Sequence, residues 1–188
     1  MKYFLLIVFF APVFLQAQQN KNKEGLAASP LLMALSRFEF GEDKQYVGKK
    51  VLDTLYYNDT GSKTIKAIGY FAVDKQDKKT EYRVGMWKEF YENGAIKYVG
   101  NYNIQYLLVS YSSNTGIIYN EYKTGEWVYY YENVQVKAKG RYKIVRTPVS
   151  TGVESQYTKS PVTTDDWVFY NSEGKTLANK KEVIGEVE

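Results

Sequence analysis

The chain has 188 residues and a formal net charge of +4, with no cysteine and no histidine. A nucleic-acid-binding protein usually has a stronger and more clustered basic excess, so this charge argues against nucleic acid as a partner. Without cysteine or histidine, the chain cannot form a disulfide, a Cys/His zinc cluster, or a catalytic Ser-His or Cys-His pair. Its 19 tyrosines, nine phenylalanines and three tryptophans favour β-strands, where flat rings pack on a pleated surface.

Residues 1–17 have the pattern of a secretory signal peptide. Lys2 supplies a positive charge, residues 3–15 are apolar, and Ala17 places a small residue before a polar run. The apolar stretch is shorter than the roughly 20 residues that span a hydrocarbon core, which argues against an uncleaved anchor. We therefore expect an exported protein that is periplasmic, secreted or part of the cell envelope. After removal of the signal peptide we expect no transmembrane segment.

Residues 18–45 form an N-terminal segment that contains one predicted short helix. Ser29 is placed to cap this helix, Pro30 suits its first turn, and Gly41 is placed to end it. An apolar stripe runs along one side of the helix and comprises Leu31, Leu35 and Phe38. We expect the helix to cover the first edge strand of the sheet that follows.

Three tryptophans reveal an internal repeat, because Trp87, Trp127 and Trp167 stand 40 residues apart. Each tryptophan precedes a run of aromatic residues and then a turn. The third copy keeps fewer of the motif residues, among them Tyr170 and Gly174. The repeat therefore predicts three related β-hairpins within a domain that covers residues 46–188.

The turn of the first hairpin predicts which residues face each other. Asn93-Gly94 favours a two-residue turn with positive φ at both positions. Such a turn places Tyr91 opposite Ile96 and Trp87 opposite Gly100. A glycine in a strand leaves its backbone bare, and an opposing indole can cover that backbone.

The same rule of pairing applies to the other two hairpins, each of which lacks one residue of the motif. In the second hairpin it places Trp127 opposite Gly140, although Val134 replaces the turn glycine at a cost, because β-branched residues disfavour positive φ. In the third hairpin Trp167 would face Lys180, so the tryptophan–glycine pair is lost.

A degenerate hairpin is also expected ahead of these three. Thr60-Gly61 would be its turn, and that turn would place Leu52 opposite Gly69. Leu52 would then keep the face that tryptophan occupies in the later hairpins.

The period-two alternation of strand side chains predicts two different sheet faces. The aromatic face includes Tyr91 in the first hairpin and Trp127, Tyr129 and Tyr131 in the second. If this face is open, these are the expected contact residues; the alternative is that the indoles only cover glycines. The opposite face is mixed and basic, with cations at Lys88, Lys97, Lys137, Lys139 and Arg141.

Between the turn hairpins lie further β-like stretches, so each unit reads as a hairpin followed by a second, longer hairpin. Residues 106–111 and 117–122 form one such pair, and residues 143–147 and 153–158 form another. These elements together predict an all-β fold, an elongated antiparallel β-meander of stacked hairpins.

The repeat motif resembles that of the MORN-repeat-variant family. The residues that carry the resemblance in the first copy are Gly85, Trp87, Phe90, Tyr91, Asn93, Gly94, Ile96, Lys97, Gly100 and Tyr102. The resemblance covers roughly residues 50 to 180. It implies stacked hairpins, a scaffolding or protein-contact role, and no catalytic residues. Some family members are labelled antitoxin components of toxin–antitoxin pairs, a cytoplasmic role that does not fit an export signal.

No arrangement of residues in the sequence predicts an enzyme, a metal site or a cofactor. Asp165 and Asp166 would point to opposite faces of a strand, so they would not form a carboxylate dyad. The sequence therefore predicts an exported protein-interaction or scaffold module with an unknown protein partner. The alternative is an envelope-binding module for anionic lipid or polysaccharide, which would use the basic residues Lys137, Lys139 and Arg141.

Overall fold

The computed structural model describes residues 37–57, 64–111, 114–151 and 156–177. The predicted signal peptide, most of the predicted helix and a tail strand expected near residues 183–187 lie outside them. Within the described residues no helix is long and apolar enough to cross a membrane. A short 3₁₀ turn comes first, at Glu42–Lys44, where the end of the predicted helix had been expected.

The described residues contain eight strands in one antiparallel sheet, and the first seven lie side by side in the order of the sequence. They are β1 (Lys50–Tyr56), β2 (Ile65–Val73), β3 (Lys79–Phe90), β4 (Ile96–Tyr111), β5 (Asn114–Tyr130), β6 (Val136–Val149), β7 (Gln156–Thr163) and β8 (Val168–Phe169). The order runs from β1 to β7, and β8 pairs with β6. The predicted all-β meander is therefore confirmed, and the second, longer hairpins are continuations of the same long strands.

The registers of the first two tryptophans are confirmed, since Trp87 pairs with Gly100 and Trp127 pairs with Gly140. Each indole nevertheless lies over the glycine of its other neighbouring strand. A Cβ atom on Gly100 would lie 2.1 Å from the Trp127 indole, a distance that leaves no room for a side chain. The three stacked pairs are Gly69–Trp87, Gly100–Trp127 and Gly140–Trp167.

Every tryptophan therefore reaches back and joins its own hairpin to the preceding one. The third hairpin keeps this stack although its strand β8 is short. Lys180, which was predicted to face Trp167, lies outside the described residues. The three indoles are almost fully buried, at 1%, 1% and 3% exposure. They form the centre of a core that also contains Ala67, Phe71, Tyr98, Tyr102, Tyr129, Ala138, Tyr142 and Phe169.

The turn type predicted for the hairpins is wrong. The Gly94 N–H donates to the Tyr91 carbonyl at 2.9 Å, and the Tyr91 N–H donates to the Ala95 carbonyl at 2.8 Å. Among the turn residues, Gly94 has positive φ and Asn93 does not. This geometry is a three-residue loop, a type I turn followed by one left-handed residue. Val134 occupies the left-handed position in the second hairpin, with φ of 62°.

A β-bulge next to the first turn restores the predicted tryptophan register. Phe90 pairs with Ile96, whereas Glu89 pairs with Tyr98, so Lys97 is an extra residue on β4. Tyr91 therefore does not face Ile96 as predicted. The extra residue in the turn and the extra residue in the bulge offset each other farther along the strands.

The second hairpin has the same bulge one repeat later. Tyr130 pairs with Val136 and Tyr129 pairs with Ala138, which makes Lys137 the extra residue. The side chain of a bulged residue does not follow the alternation of the pleat. An assignment of sheet faces based on period two is therefore wrong for these lysines.

The register predicted for the degenerate hairpin is wrong by one residue. Asp53 pairs with Gly69, and Leu52 pairs with Tyr70. A shift of one residue moves a side chain to the opposite face. Leu52 is accordingly 57% exposed and does not belong to the tryptophan face.

The sheet forks beyond the first tryptophan. The register between β3 and β4 ends at Gly85 and Tyr102, while β3 continues with β2 and β4 continues with β5. A second core fills the fork and contains Phe38, Ala72, Val84 and Ile104. The segment around Phe38 therefore packs inside the fork. Most of the helix that was expected to cover the first edge strand lies outside the described residues.

Two buried glutamines join the far half of β4 to β7, which are not neighbours in the sheet. The Gln105 amide accepts from the Lys159 N–H at 2.8 Å and donates to the Lys159 carbonyl at 3.3 Å. The Gln156 amide forms the reciprocal pair with Leu108, at 2.7 and 2.6 Å. Side-chain amides thus replace a backbone ladder and close this part of the sheet on itself.

We predict that Gly100→Ala lowers the free energy of unfolding by about 1–3 kcal/mol, because the new methyl group would overlap the Trp127 indole. In a Trp127→Leu background, the same alanine substitution should cost much less. Urea unfolding of the wild type, both single variants and the double variant measures this coupling. Additive effects would show that the indole does not depend on the bare backbone of Gly100.

We predict that Val134→Gly raises the free energy of unfolding by about 1 kcal/mol, since it relieves a β-branched residue held at positive φ. The matched substitution Gly94→Val, at the equivalent position of the first hairpin, should destabilise by a similar amount. Thermal unfolding of both variants is the measurement. Destabilisation by both substitutions would contradict the equivalence of the two turns.

Candidate binding site

The predicted contact residues of the aromatic face do not form an open surface. Trp127 is 1% exposed and Tyr129 is 7% exposed, because neighbouring hairpins pack their rings together. The Tyr131 hydroxyl donates to the Tyr170 carbonyl at 2.9 Å. The Tyr91 hydroxyl makes the equivalent bond one repeat earlier, to the Tyr130 carbonyl at 2.8 Å. These two tyrosines therefore tie successive hairpins together.

The residues of the predicted basic face do not form one continuous surface either. Arg141 lies in an exposed ion pair with Glu126 at 2.9 Å, which neutralises its charge locally. Lys139 extends toward the Tyr170 ring, with its Nζ atom 5.9 Å from the ring centroid. Lys97 and Lys137 are the bulged residues, and both lie on the aromatic side of the sheet.

A cleft between the first and second tryptophan hairpins collects the displaced lysines. It has a volume of about 180 Å³ and is lined by Tyr91, Lys97, Tyr98, Tyr102, Lys123, Tyr129, Tyr130 and Lys137. We call it the tyrosine–lysine cleft. It contains three of the predicted contact residues, namely Tyr91, Tyr129 and Lys137, and leaves out Trp127, Tyr131, Lys139 and Arg141.

Lys97 lies in the cleft beside a carboxylate. Its Nζ atom is 3.0 Å from Glu89 Oε1, and the Tyr98 hydroxyl donates to Glu89 Oε2 at 2.8 Å. Lys97 and Tyr98 are adjacent in the strand, and the side chains of adjacent strand residues normally point to opposite faces. They share Glu89 as a partner because the bulge at Lys97 interrupts this alternation. The hydrogen bond to Glu89 is the main cause that raises the pKa of Lys97 above the ordinary lysine value.

Lys123, on β5, lies deeper in the cleft among aromatic rings. Its Nζ atom lies 5.4 Å from the Trp127 and Tyr142 ring centroids and 5.6 Å from the Tyr129 centroid. It also donates to the Tyr142 hydroxyl at 3.4 Å. Burial lowers the pKa of Lys123 below the ordinary lysine value, and the nearby positive charge of Arg83 lowers it further.

The phenols of the cleft are neutral hydrogen-bonding groups. Burial raises the pKa of Tyr98, Tyr102 and Tyr129 well above the ordinary tyrosine value. Tyr98 and Tyr102 have hydroxyl oxygens 3.4 Å apart, and Tyr129 and Tyr142 have theirs 3.2 Å apart. The cleft therefore has positive charge from its lysines and polar hydroxyl groups from its tyrosines.

Lys123 was not among the contact residues predicted from the sequence, because it lies outside the repeated turn motif. One signal points to it. Residue 123 has the same parity as Trp127, so a lysine is placed on the aromatic face of the strand. One repeat earlier the equivalent residue is Arg83, whose guanidinium lies 4.0 Å from the Tyr102 ring centroid. A cation beside the tryptophan is thus shared by the first two tryptophan hairpins, and Thr163 takes its place in the third.

The outer edge of β1 is a second candidate for contact with a partner. β1 is the terminal strand of the sheet and pairs only with β2 among the described strands. Four apolar residues along it are 37–57% exposed, namely Val51, Leu52, Leu55 and Tyr56. The Val73 N–H donates to the Lys49 carbonyl, so by alternation the backbone groups of Lys50 and Leu52 point outward.

Two carboxylates close to the tryptophans have side-chain partners among the described residues. Glu89 is engaged by Lys97 and Tyr98, and Asp166 accepts from the Thr164 hydroxyl. No group of three acidic residues in the described ranges is placed to hold a metal ion.

The chain matches no family model, no curated protein and no solved structure. Its function is therefore inferred from the cleft, the free edge and the repeat themselves.

We predict that Lys97 and Lys123, two of the three cleft lysines, titrate on opposite sides of the ordinary lysine value, Lys97 above it and Lys123 below it. NMR of ¹³C-dimethylated lysines measures both pKa values in one titration. Glu89→Gln should lower the pKa of Lys97, because it removes the neighbouring charge, while Lys123 should stay below the ordinary value. A Lys123 pKa above that value would contradict its burial in the cleft.

Proposed function

We propose that this chain is a non-catalytic protein-interaction module of the cell envelope, and that it binds an extended segment of a partner along β1. The observation that carries the proposal is the outer edge of β1, which pairs with no other strand of the described residues and is flanked by exposed apolar side chains. An extended peptide added to such an edge gains backbone hydrogen bonds, and alternate side chains provide specificity.

The two outer edges of the sheet differ in how their backbone groups are covered, and this difference supports the proposal. A free edge exposes unpaired backbone groups and favours unwanted association, so proteins usually cover it. Gln105 covers the outer edge of β7 through its two bonds to Lys159. On β1 only the Thr54 N–H has a side-chain acceptor, the Asp53 carboxylate at 2.7 Å, among the bonds of the described residues.

The side chains of β1 extend the contact to both faces of the sheet. Leu52 is 57% exposed on one face, and Val51 is 39% exposed on the other. A partner strand would therefore bring its alternate side chains against apolar residues whichever way they point. The predicted signal peptide and the resemblance to the MORN-repeat-variant family support an exported scaffold, for which a protein partner is the expected ligand.

The alternative function, binding of anionic lipid or polysaccharide through a basic face, has less support. Such binding would need Lys137, Lys139 and Arg141 on one continuous surface. The bulge turns Lys137 into the cleft, and Glu126 neutralises Arg141. The basic residues are thus divided between separate places on the molecule.

We predict that Leu52→Pro abolishes capture of the partner, because proline removes an outward N–H and leaves the ladder to β2 intact. The control Leu52→Ala removes the side chain and keeps the N–H, so it should weaken capture only in part. The measurement is a pull-down from envelope extract with tagged wild type and both variants, washed at low and high salt.

A specific protein retained at high salt by the wild type and the alanine variant, but not by the proline variant, would support strand addition. Equal capture by all three proteins would place the contact elsewhere. Capture that is lost at high salt, with lipid or polysaccharide recovered, would favour the alternative function.

A further inference from the structure

We propose that the extended segment that pairs with β1 is β1 of a second copy of this chain, so that two copies form one antiparallel dimer. The inference rests on the proposed function, because it names the partner of the same edge. It is carried by the backbone groups that point outward from β1 and by the order of charges along the strand.

The outward backbone groups of β1 match each other in a two-fold pair. The Val73 N–H donates to the Lys49 carbonyl, so by alternation Lys50 and Leu52 direct their N–H and carbonyl groups away from β2. A two-fold axis at Val51 places Lys50 opposite Leu52 of the second copy, and Leu52 opposite Lys50. Each outward N–H then meets an outward carbonyl, and the two strands form a short antiparallel ladder.

The charges along the strand complement each other in the same register. The axis at Val51 places Lys49 opposite Asp53 of the second copy, and the symmetry repeats this pair. Within one copy, Lys49 bonds to Asp77 at 2.9 Å, and Lys79 bonds to Asp53. Positive and negative groups would therefore alternate across the interface, from Lys79 of one copy to Asp77 of the other.

Other two-fold registers of β1 are less favourable. An axis at Asp53 would set two carboxylates opposite each other, which is destabilising. An axis at Thr54 would need the Thr54 N–H, which donates to the Asp53 carboxylate at 2.7 Å. An axis at Leu52 would place Asp53 opposite Val51, without an opposite charge. The order of charges therefore favours the axis at Val51.

Apolar contacts on both faces of the sheet would stabilise the dimer. Val51 is 39% exposed and would pack against Val51 of the second copy across the axis. Leu52, which is 57% exposed on the opposite face, would lie beside the aliphatic part of Lys50 of the second copy. One strand of the same sequence would thus cover exposed apolar groups on both faces.

The other outer edge of the sheet favours a closed pair over an open chain of molecules. Head-to-tail addition would pair β1 with the outer edge of β7 and would not close. Gln105 already bonds to the backbone of Lys159 on that edge. Because β1 has only seven residues, the dimer interface is small, and we expect a Kd of roughly micromolar order.

Cysteine cross-linking tests the register, since the chain has no cysteine of its own. Opposite residues of a pair without backbone hydrogen bonds have Cα atoms about 4.5 Å apart, a separation that a disulfide can bridge. Val51→Cys should therefore give a disulfide-linked dimer on mild oxidation. The control Leu55→Cys is on the same face and similarly exposed, at 37%, but its two copies would lie about 26 Å apart. It should cross-link at least about tenfold more slowly.

Charge exchange tests the contact between Lys49 and Asp53. Lys49→Glu and Asp53→Lys should each weaken the dimer about tenfold in sedimentation equilibrium, because each sets like charges opposite each other twice. An equal mixture of the two variants should return to within about threefold of the wild-type Kd, because every facing pair again has opposite charges. The control Lys143→Glu makes the same change on β6 and should alter the Kd less than about twofold. Circular dichroism checks that all variants fold.

The outcomes separate the dimer from strand addition in general. A wild type that remains monomeric up to about 1 mM would overturn the dimer. Equal cross-linking at positions 51 and 55, or no recovery in the mixture, would overturn it as well. If a different protein is then captured by the wild type and not by Leu52→Pro, strand addition stands and only the second copy is excluded. Equal capture by the wild type and Leu52→Pro would instead contradict the proposed function itself.

Discussion

The stacking of each tryptophan on a glycine of the preceding hairpin is the contact on which the rest of the sheet depends. A strand pair on its own is only marginally stable, and here the indole of one hairpin buries the bare backbone of another. The Gly100–Trp127 contact leaves no space for a Cβ atom. The spacing of 40 residues is thus the length of chain needed to bring the next tryptophan alongside the glycine of the preceding hairpin.

The long strands follow from this spacing. Only a few residues of each unit form the turn hairpin, and the others must extend the strands beyond the tryptophan layer. The extension separates β3 from β4, and the exposed backbone at the fork needs new partners. Glu121 accepts from the Arg83 N–H at 2.5 Å, and Gln105 and Gln156 bind backbone groups across the closure. Gln105 and Gln156 are buried because they replace missing strands, and Glu121 is half-buried.

The sequence was sufficient to predict the strand order, the hairpin positions and the pairing of Trp87 with Gly100. Those features follow from motif spacing and period-two alternation, which are local. The side on which each indole lies could not be predicted, because a tryptophan can reach either neighbouring strand. Lys97 and Lys137 were assigned to the wrong face for a related reason: a bulge adds one residue to a strand, and Asn93-Gly94 is compatible with turns of two or three residues.

The bulge also connects the fold to the candidate site. A strict two-residue turn would send Lys97 and Lys137 to the solvent face and leave a cleft lined by phenols and Lys123. The three-residue turn and its bulge bring two ammonium groups to the aromatic side, where Lys123 is already partly desolvated. The third hairpin has Leu177 at the position of the bulged lysine, and this residue packs against the aromatic core. The three-residue turn and its bulge therefore decide both the register of the tryptophans and the side chains that line the cleft.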